Sequence, residues 1–147
     1  MPPTGSSPTE AIQYLSLEQV LTAHAVLIKR YGGSQGVFNQ GLLESAVFRP
    51  QATAFGQEAY PTLFEKCACI GHSLIQNHPF MDGNKRTGFA AMHLMLLING
   101  RDLDSTAEQE IAMTENVASG KMREPEIVQW LKRHSGKKVV IRKRETY

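Results

Sequence analysis

The side chains best suited to chemistry fall within ten consecutive positions, His78-Pro79-Phe80-Met81-Asp82-Gly83-Asn84-Lys85-Arg86-Thr87. An unperturbed histidine titrates near about 6.5, so neutral imidazole at His78 is available to take a proton from an attacking hydroxyl. Asp82 is the only carboxylate of the segment. Beside bound phosphates it suits Mg²⁺, which takes one or two carboxylates and completes its shell with phosphate oxygens and water. Gly83 lacks a side chain and so leaves room for a phosphate near the backbone. Lys85 and Arg86 add two cations, the arginine with a fork able to grip two oxygens. Phe80 alternates with His78 and is expected to point inward as an anchor.

The same residues also have ligand-free readings. Asp82 can be a plain helix cap, and His78 a hydrogen-bonded loop residue. Lys85 and Arg86 are harder to explain that way. They fall in a first helical turn, where cations oppose the dipole at a cost on the order of a few tenths of a kcal/mol without an anion. Free backbone N–H groups and a positive dipole end make such a turn an anion site. Neither GxxxxGK[ST] nor GxGxxG occurs, which excludes the P-loop and the dinucleotide fingerprint.

The elements that must position this segment are helical. Ser16 with Gln19 forms a capping box, and Leu17, Val20, Leu21, His24, Leu27 and Ile28 recur at helical spacing up to Gly32-Gly33. Asn39 caps a short helix that stops before Pro50. Residues 51–60 have no strong period and read as an exposed loop with a short extended piece. Pro61 suits the first turn of the next helix, whose apolar positions continue to Ile75. Pro79 disfavours helix at His78. The helix from about Asn84 to Asn99 is apolar all round, as expected of a helix surrounded by others. Ser105 with Glu108 predicts another N-terminus, and Pro125 opens a last helix ending before Gly136. Val139-Val140-Ile141 is either a short strand or tail. The expected fold is all-α, a compact bundle of about six helices around a buried central helix, with a possible short strand or flap.

The chain has 147 residues, which suits one domain. Expected boundaries are a flexible leader at 1–14, a catalytic domain at 15–136 and a basic tail at 137–147. Seven of the 16 lysines and arginines fall between Lys132 and Arg144, leaving nine against 14 acidic residues elsewhere. A basic end on an acidic body can attract nucleic acid or an acidic partner, although a solvated terminus is the plainer reading. Cys67 and Cys69 lack metal-knuckle spacing and sit in an apolar stretch, so they read as core thiols suited to a reducing compartment. The longest apolar run, Phe89 to Ile98, has ten residues, short of the roughly 20 that span a membrane. No signal peptide is visible, and a soluble cytoplasmic protein is expected.

The ten-residue segment resembles the signature of the Fic/Doc (Fido) superfamily and looks closest to its death-on-curing (Doc) branch, the toxins of toxin–antitoxin pairs. Tyr31-Gly32-Gly33, Gly41-Leu42-Leu43-Glu44 and Asn99-Gly100 extend the likeness over about Leu15 to Leu131. The resemblance implies the Fido fold with the signature between two central helices. It implies His78 as the catalytic base and Asp82 as the holder of Mg²⁺. Gly83, Asn84, Lys85 and Arg86 fall at the phosphates of ATP, and Phe80 is the anchor. The AMP-transferring Fic pattern has Gly where this chain has Lys85 and a second Arg where it has Phe89. Doc-type members carry Asn-Lys-Arg, as at Asn84-Lys85-Arg86, and are thought to bind the nucleotide reversed, so that the terminal phosphate reaches the target hydroxyl. Gly83 is nearer the Fic pattern and keeps AMP transfer open.

The likeness implies a threonine of elongation factor Tu as target and hence a block of translation. Residues 51–60 would be the target-docking flap. Glu115-Asn116 supplies the end of the family's inhibitory (S/T)xxxE(G/N) helix, but Ile111 stands at its Ser/Thr position. A separate antitoxin is therefore the expected restraint. A binding module without catalysis, using the basic tail, is the third reading.

Overall fold

A computed structural model of the protein describes residues 11–138. Six α-helices carry the fold: α1 (Leu17–Tyr31), α2 (Gln40–Phe48), α3 (Leu63–Asn77), α4 (Asn84–Ile98), α5 (Ala107–Ala118) and α6 (Glu124–His134). Two short strand pairs accompany them. β1 (Thr53–Ala54) and β2 (Gln57–Glu58) form an antiparallel hairpin after the 3₁₀ turn Arg49–Gln51. β3 (Arg101–Leu103) pairs antiparallel with β4 (Ser135–Lys138), Arg101 opposite Lys138 and Leu103 opposite Ser135.

The all-α bundle read from the sequence is the observed architecture. α3 is its most enclosed member and packs against α2, α4, α5 and α6. It buries Cys67, Ala68, Ile70, Leu74 and Ile75. α3 and α4 approach closely through two glycines. A Cβ on Gly71 would collide with the Met92 side chain, and one on Gly88 would lie 3.1 Å from the Gly71 carbonyl and closer still to Ile75. The apolar periphery of α4 is only partly used for packing. Met92, Met95 and Leu96 are buried, whereas Phe89, Ala90 and His93 are half-exposed along a groove against α5.

Helix starts follow local hydrogen-bonding chemistry. Ser16 and Gln19 form the expected box on α1, and Asn39 Oδ1 accepts from Leu42 N–H at 2.9 Å on α2. Two starts differ from expectation. Thr62 caps α3, and its box with Glu65 leaves Pro61 outside the first turn, where it was expected. Thr106 with Gln109 caps α5 in place of Ser105 with Glu108, because Asp104 N–H is drawn to the His134 carbonyl at 2.7 Å and the chain stays extended past Ser105.

The expected leader ends in docked chain. Gln13 exchanges hydrogen bonds with the Asn99 amide at 2.8 and 2.9 Å, and Ile12 and Tyr14 pack on the core. Val139-Val140-Ile141 lies outside the described residues, as do 1–10. Among the described residues, no helix is long and apolar enough to cross a membrane.

Candidate active site

The signature is held at both ends by the two packed helices and from the side by the loop after α1. α3 stops at His78, whose backbone turns left-handed (φ 49, ψ 56) before Pro79. That conformation is costly for a residue with a Cβ. It leaves the imidazole exposed on the wall of a groove of about 900 Å³. The Pro79 carbonyl accepts from Phe38 N–H at 2.8 Å and Asn39 N–H at 3.0 Å, and Met81 N–H donates to the Gly36 carbonyl at 3.0 Å. Phe80 pairs as a β-bridge with Val37.

Phe80 is the anchor the sequence implied, 2% exposed. Its ring stacks on His24 at 3.8 Å with planes 7° apart. His24 also donates from Nε2 to the Asp82 carbonyl at 2.7 Å. The sequence reading had placed His24 on the apolar face of α1 without a site role. In the structure it fixes both the anchor and the backbone of the acidic residue.

Asp82 projects into the groove and is held by two amides. Its Oδ2 accepts from Ser34 N–H at 3.2 Å and its Oδ1 from Gly83 N–H at 3.1 Å. Gly33 lies against it: a Cβ there would be 2.9 Å from Oδ2. No cluster of three or more metal-ligating side chains occurs among the described residues. A single positioned, exposed carboxylate beside a helix start with free amides fits Mg²⁺, which takes one or two carboxylates and completes its shell with phosphate oxygens and water.

Beyond it the chain enters α4. Gly83 is the N-cap in a left-handed conformation (φ 75), and a Cβ on it would meet Ile28 Cδ1 at 2.8 Å. Packing against α1 and the positive φ thus account for this glycine, independently of access for a phosphate. Thr87 N–H to the Gly83 carbonyl, at 2.9 Å, closes the first turn. The N–H groups of Asn84, Lys85 and Arg86 precede that bond and have no intrahelical acceptor. The Asn84 side chain is turned inward: Oδ1 accepts from Phe80 N–H at 2.9 Å and Nδ2 donates to the Phe80 carbonyl at 3.1 Å. Asn84 therefore offers an anion its backbone amide, while its side chain clamps the loop. Lys85 and Arg86 are exposed on the groove, with the Arg86 guanidinium 4.4 Å from the centre of the Tyr31 ring.

His78, Asp82, Gly83, Asn84, Lys85 and Arg86 all line this one groove. Its farther half is chemically different. Phe89, Ala90 and His93 of α4 face Ala107, Glu110, Ile111, Thr114 and Glu115 of α5. His93 Nε2 lies 2.7 Å from Asp102 Oδ1. That bond, with a second from Leu103 N–H, lowers the Asp102 carboxyl below its usual range. Sequence reasoning missed this pair, and it singled out Tyr31 for the likeness alone, not for its place beside Arg86. The available signal was His93 itself, the only polar side chain in the run Phe89–Ile98.

A fold of this kind with this loop defines a family. The Fic/DOC family model matches residues 14–96, and the chain belongs to that family. It is 48% identical over 91 residues to a protein named Toxin Doc from Mycolicibacterium smegmatis, covering 62% of this chain and 68% of the relative. It is 30% identical over 125 residues to Protein kinase doc of Escherichia phage P1, covering 85% of this chain and 98% of the relative.

Proposed function

We propose that this protein is a Doc-like toxin that transfers the terminal phosphate of ATP to a threonine hydroxyl of an elongation factor Tu-like protein. The observation that carries this reading is the presence, in one groove, of an exposed imidazole at His78 and an open amide-lined helix start at Asn84–Arg86. His78 takes the proton from the attacking hydroxyl as its oxygen bonds to the γ-phosphorus. The bond from that phosphorus to the bridging oxygen breaks, and ADP leaves. The three helix-start amides, Lys85 and Arg86 hold the phosphate oxygens. Mg²⁺ at Asp82 would offset charge on the polyphosphate.

Phosphate transfer is favoured over AMP transfer by Lys85 and Phe89, which replace the Gly and Arg of the AMP-transferring pattern. Gly83, the residue nearest that pattern, is accounted for by its φ and by Ile28. The β1–β2 hairpin supports target docking: both strands are exposed, and Phe55 at its tip is 105% exposed in a left-handed conformation (φ 53). An exposed two-residue edge can align an extended segment by strand addition.

Restraint by a separate antitoxin is supported by Ile111. It lines the groove at 58% exposure where a self-inhibiting helix would carry Ser or Thr. A cytoplasmic site of action follows from a translation-factor target. Cell extract incubated with the protein and ATP labelled on either the α or the γ phosphate tests the reaction. Label only from the γ position is expected; label from the α position would establish AMP transfer instead. Equal growth of cells overexpressing wild type and His78→Ala would leave a non-catalytic binding role.

A further inference from the structure

We propose that His93, locked by Asp102, reads an amino-bearing nucleobase, so that the groove selects adenine nucleotides by their base as well as by their phosphates. The inference rests on the nucleotide-binding reading above and assigns a second half to the same site. His93 stands eight residues beyond Lys85 on α4, about 12 Å at the helical rise. A nucleoside triphosphate with its phosphates on the helix start is long enough to bring its base there.

The surroundings fit a flat heterocycle. Phe89 on α4 and Ile111 on α5 present apolar surface from facing helices. Phe89 is held edge-on against Trp130, with ring centres 6.0 Å apart and planes at 87°. An apolar slot with one oriented polar group is the usual design of a small-molecule site.

The orientation comes from Asp102. An ionised carboxylate only accepts, so Nε2 carries a proton towards Asp102 Oδ1 2.7 Å away, and in the uncharged ring Nδ1 is the acceptor. Nδ1 then carries a lone pair, and the ring's one hydrogen bond among the described residues is the one from Nε2. A fixed acceptor pairs with an amino group such as N6 of adenine and meets a carbonyl at the same position unfavourably. The carboxylate holds the tautomer, as an oriented partner does for histidine elsewhere.

The test is calorimetric titration of the full chain with ATP, inosine triphosphate and inorganic tripolyphosphate. Inosine triphosphate carries a carbonyl where adenine has its amino group. The wild type is expected to favour ATP over inosine triphosphate by at least about fivefold, the worth of one hydrogen bond. His93→Ala is expected to erase that ratio without changing tripolyphosphate affinity. Asp102→Asn, which releases the tautomer, is expected to lower the ratio towards one, and His93→Gln, which keeps an acceptor, to restore part of it. An unchanged ratio in His93→Ala overturns the proposal and leaves the nucleotide reading intact. So does wild-type tripolyphosphate binding without preference for ATP. If neither ATP nor tripolyphosphate binds the wild type, the nucleotide reading falls and this inference with it.

Discussion

Lys66→Met tests the packing beneath the hairpin most sharply. Lys66 is 1% exposed. Its Nζ donates to Glu58 Oε1 at 2.7 Å, to the Pro50 carbonyl at 3.4 Å and to the Tyr60 carbonyl, and it lies 5.5 Å from the Tyr14 ring. Burial alone would lower the ammonium pKa, but hydrogen bonds to Glu58 and Tyr14 outweigh it and the pKa ends raised. Methionine keeps most of the aliphatic stem, so the loss is confined to polar contacts. The Pro50 and Tyr60 carbonyls lose a donor, at about 1–3 kcal/mol for each that stays dry. Glu58 is half-exposed and can turn to water, which adds little. A net destabilisation of about 2–6 kcal/mol follows, or roughly 6–18 °C in melting temperature for a chain of this size. Urea unfolding measures it. Amide exchange should rise first at Ala59, whose N–H donates to the Ala52 carbonyl across the hairpin base at 2.9 Å. A loss under about 1 kcal/mol with Ala59 exchange unchanged would refute the idea that this lysine holds the hairpin.

Four further outcomes follow, three from the site and one from the core of α3. His78→Gly should abolish transfer yet leave the fold up to about 1–2 kcal/mol more stable, because glycine relieves the left-handed backbone; kinetics and thermal melts on one preparation check both. His24→Phe keeps the stack on Phe80 but removes the bond to the Asp82 carbonyl, so stability should fall by about 1–2 kcal/mol and the apparent Mg²⁺ affinity with it, read by metal titration of activity. The Asp102 carboxyl is lowered in the folded state, chiefly by its hydrogen bond to His93. Its contribution is therefore present above the unfolded pKa of about 4 and lost as pH falls through the folded value. Between pH 6 and 3, the wild type should lose more stability than Asp102→Asn in denaturant titrations. Burial raises the Cys67 thiol pKa strongly and that of Cys69 to about 11; neither should react with iodoacetamide at pH 8 until the protein is unfolded.

Helix number, the stop before Pro79 and the inward Phe80 were legible because each follows from local rules: periodicity, proline sterics and alternation. The cap of α5 falls one residue after the expected Ser105, and α3 starts past Pro61, which was expected in its first turn. Adjacent Pro61-Thr62 and Ser105-Thr106 both offer plausible starts, and only the tertiary bond from Asp104 to His134 decides the second pair. The candidate active-site segment was legible as one run of sequence. Its supports were not, since His24, Gly33 and Tyr31 come from about 50 positions earlier and reach the signature only through the packing of α1. The inward turn of Asn84 was equally hidden; an asparagine in a first turn reads the same whether it clamps a loop or greets a ligand.

The direct approach of α3 and α4 through Gly71 and Gly88 has a consequence for how changes in this protein are partitioned. Only residues 78–83 join the two helices, so the separation between the imidazole and the amides is inherited from the interior and not from the rim. Substitutions on the hairpin, on the outer face of α5 or at Ile111 can alter what the protein meets while the geometry of the candidate site stays fixed. A single methyl group at either glycine, far from solvent, should disturb that geometry while leaving the outer surface unchanged.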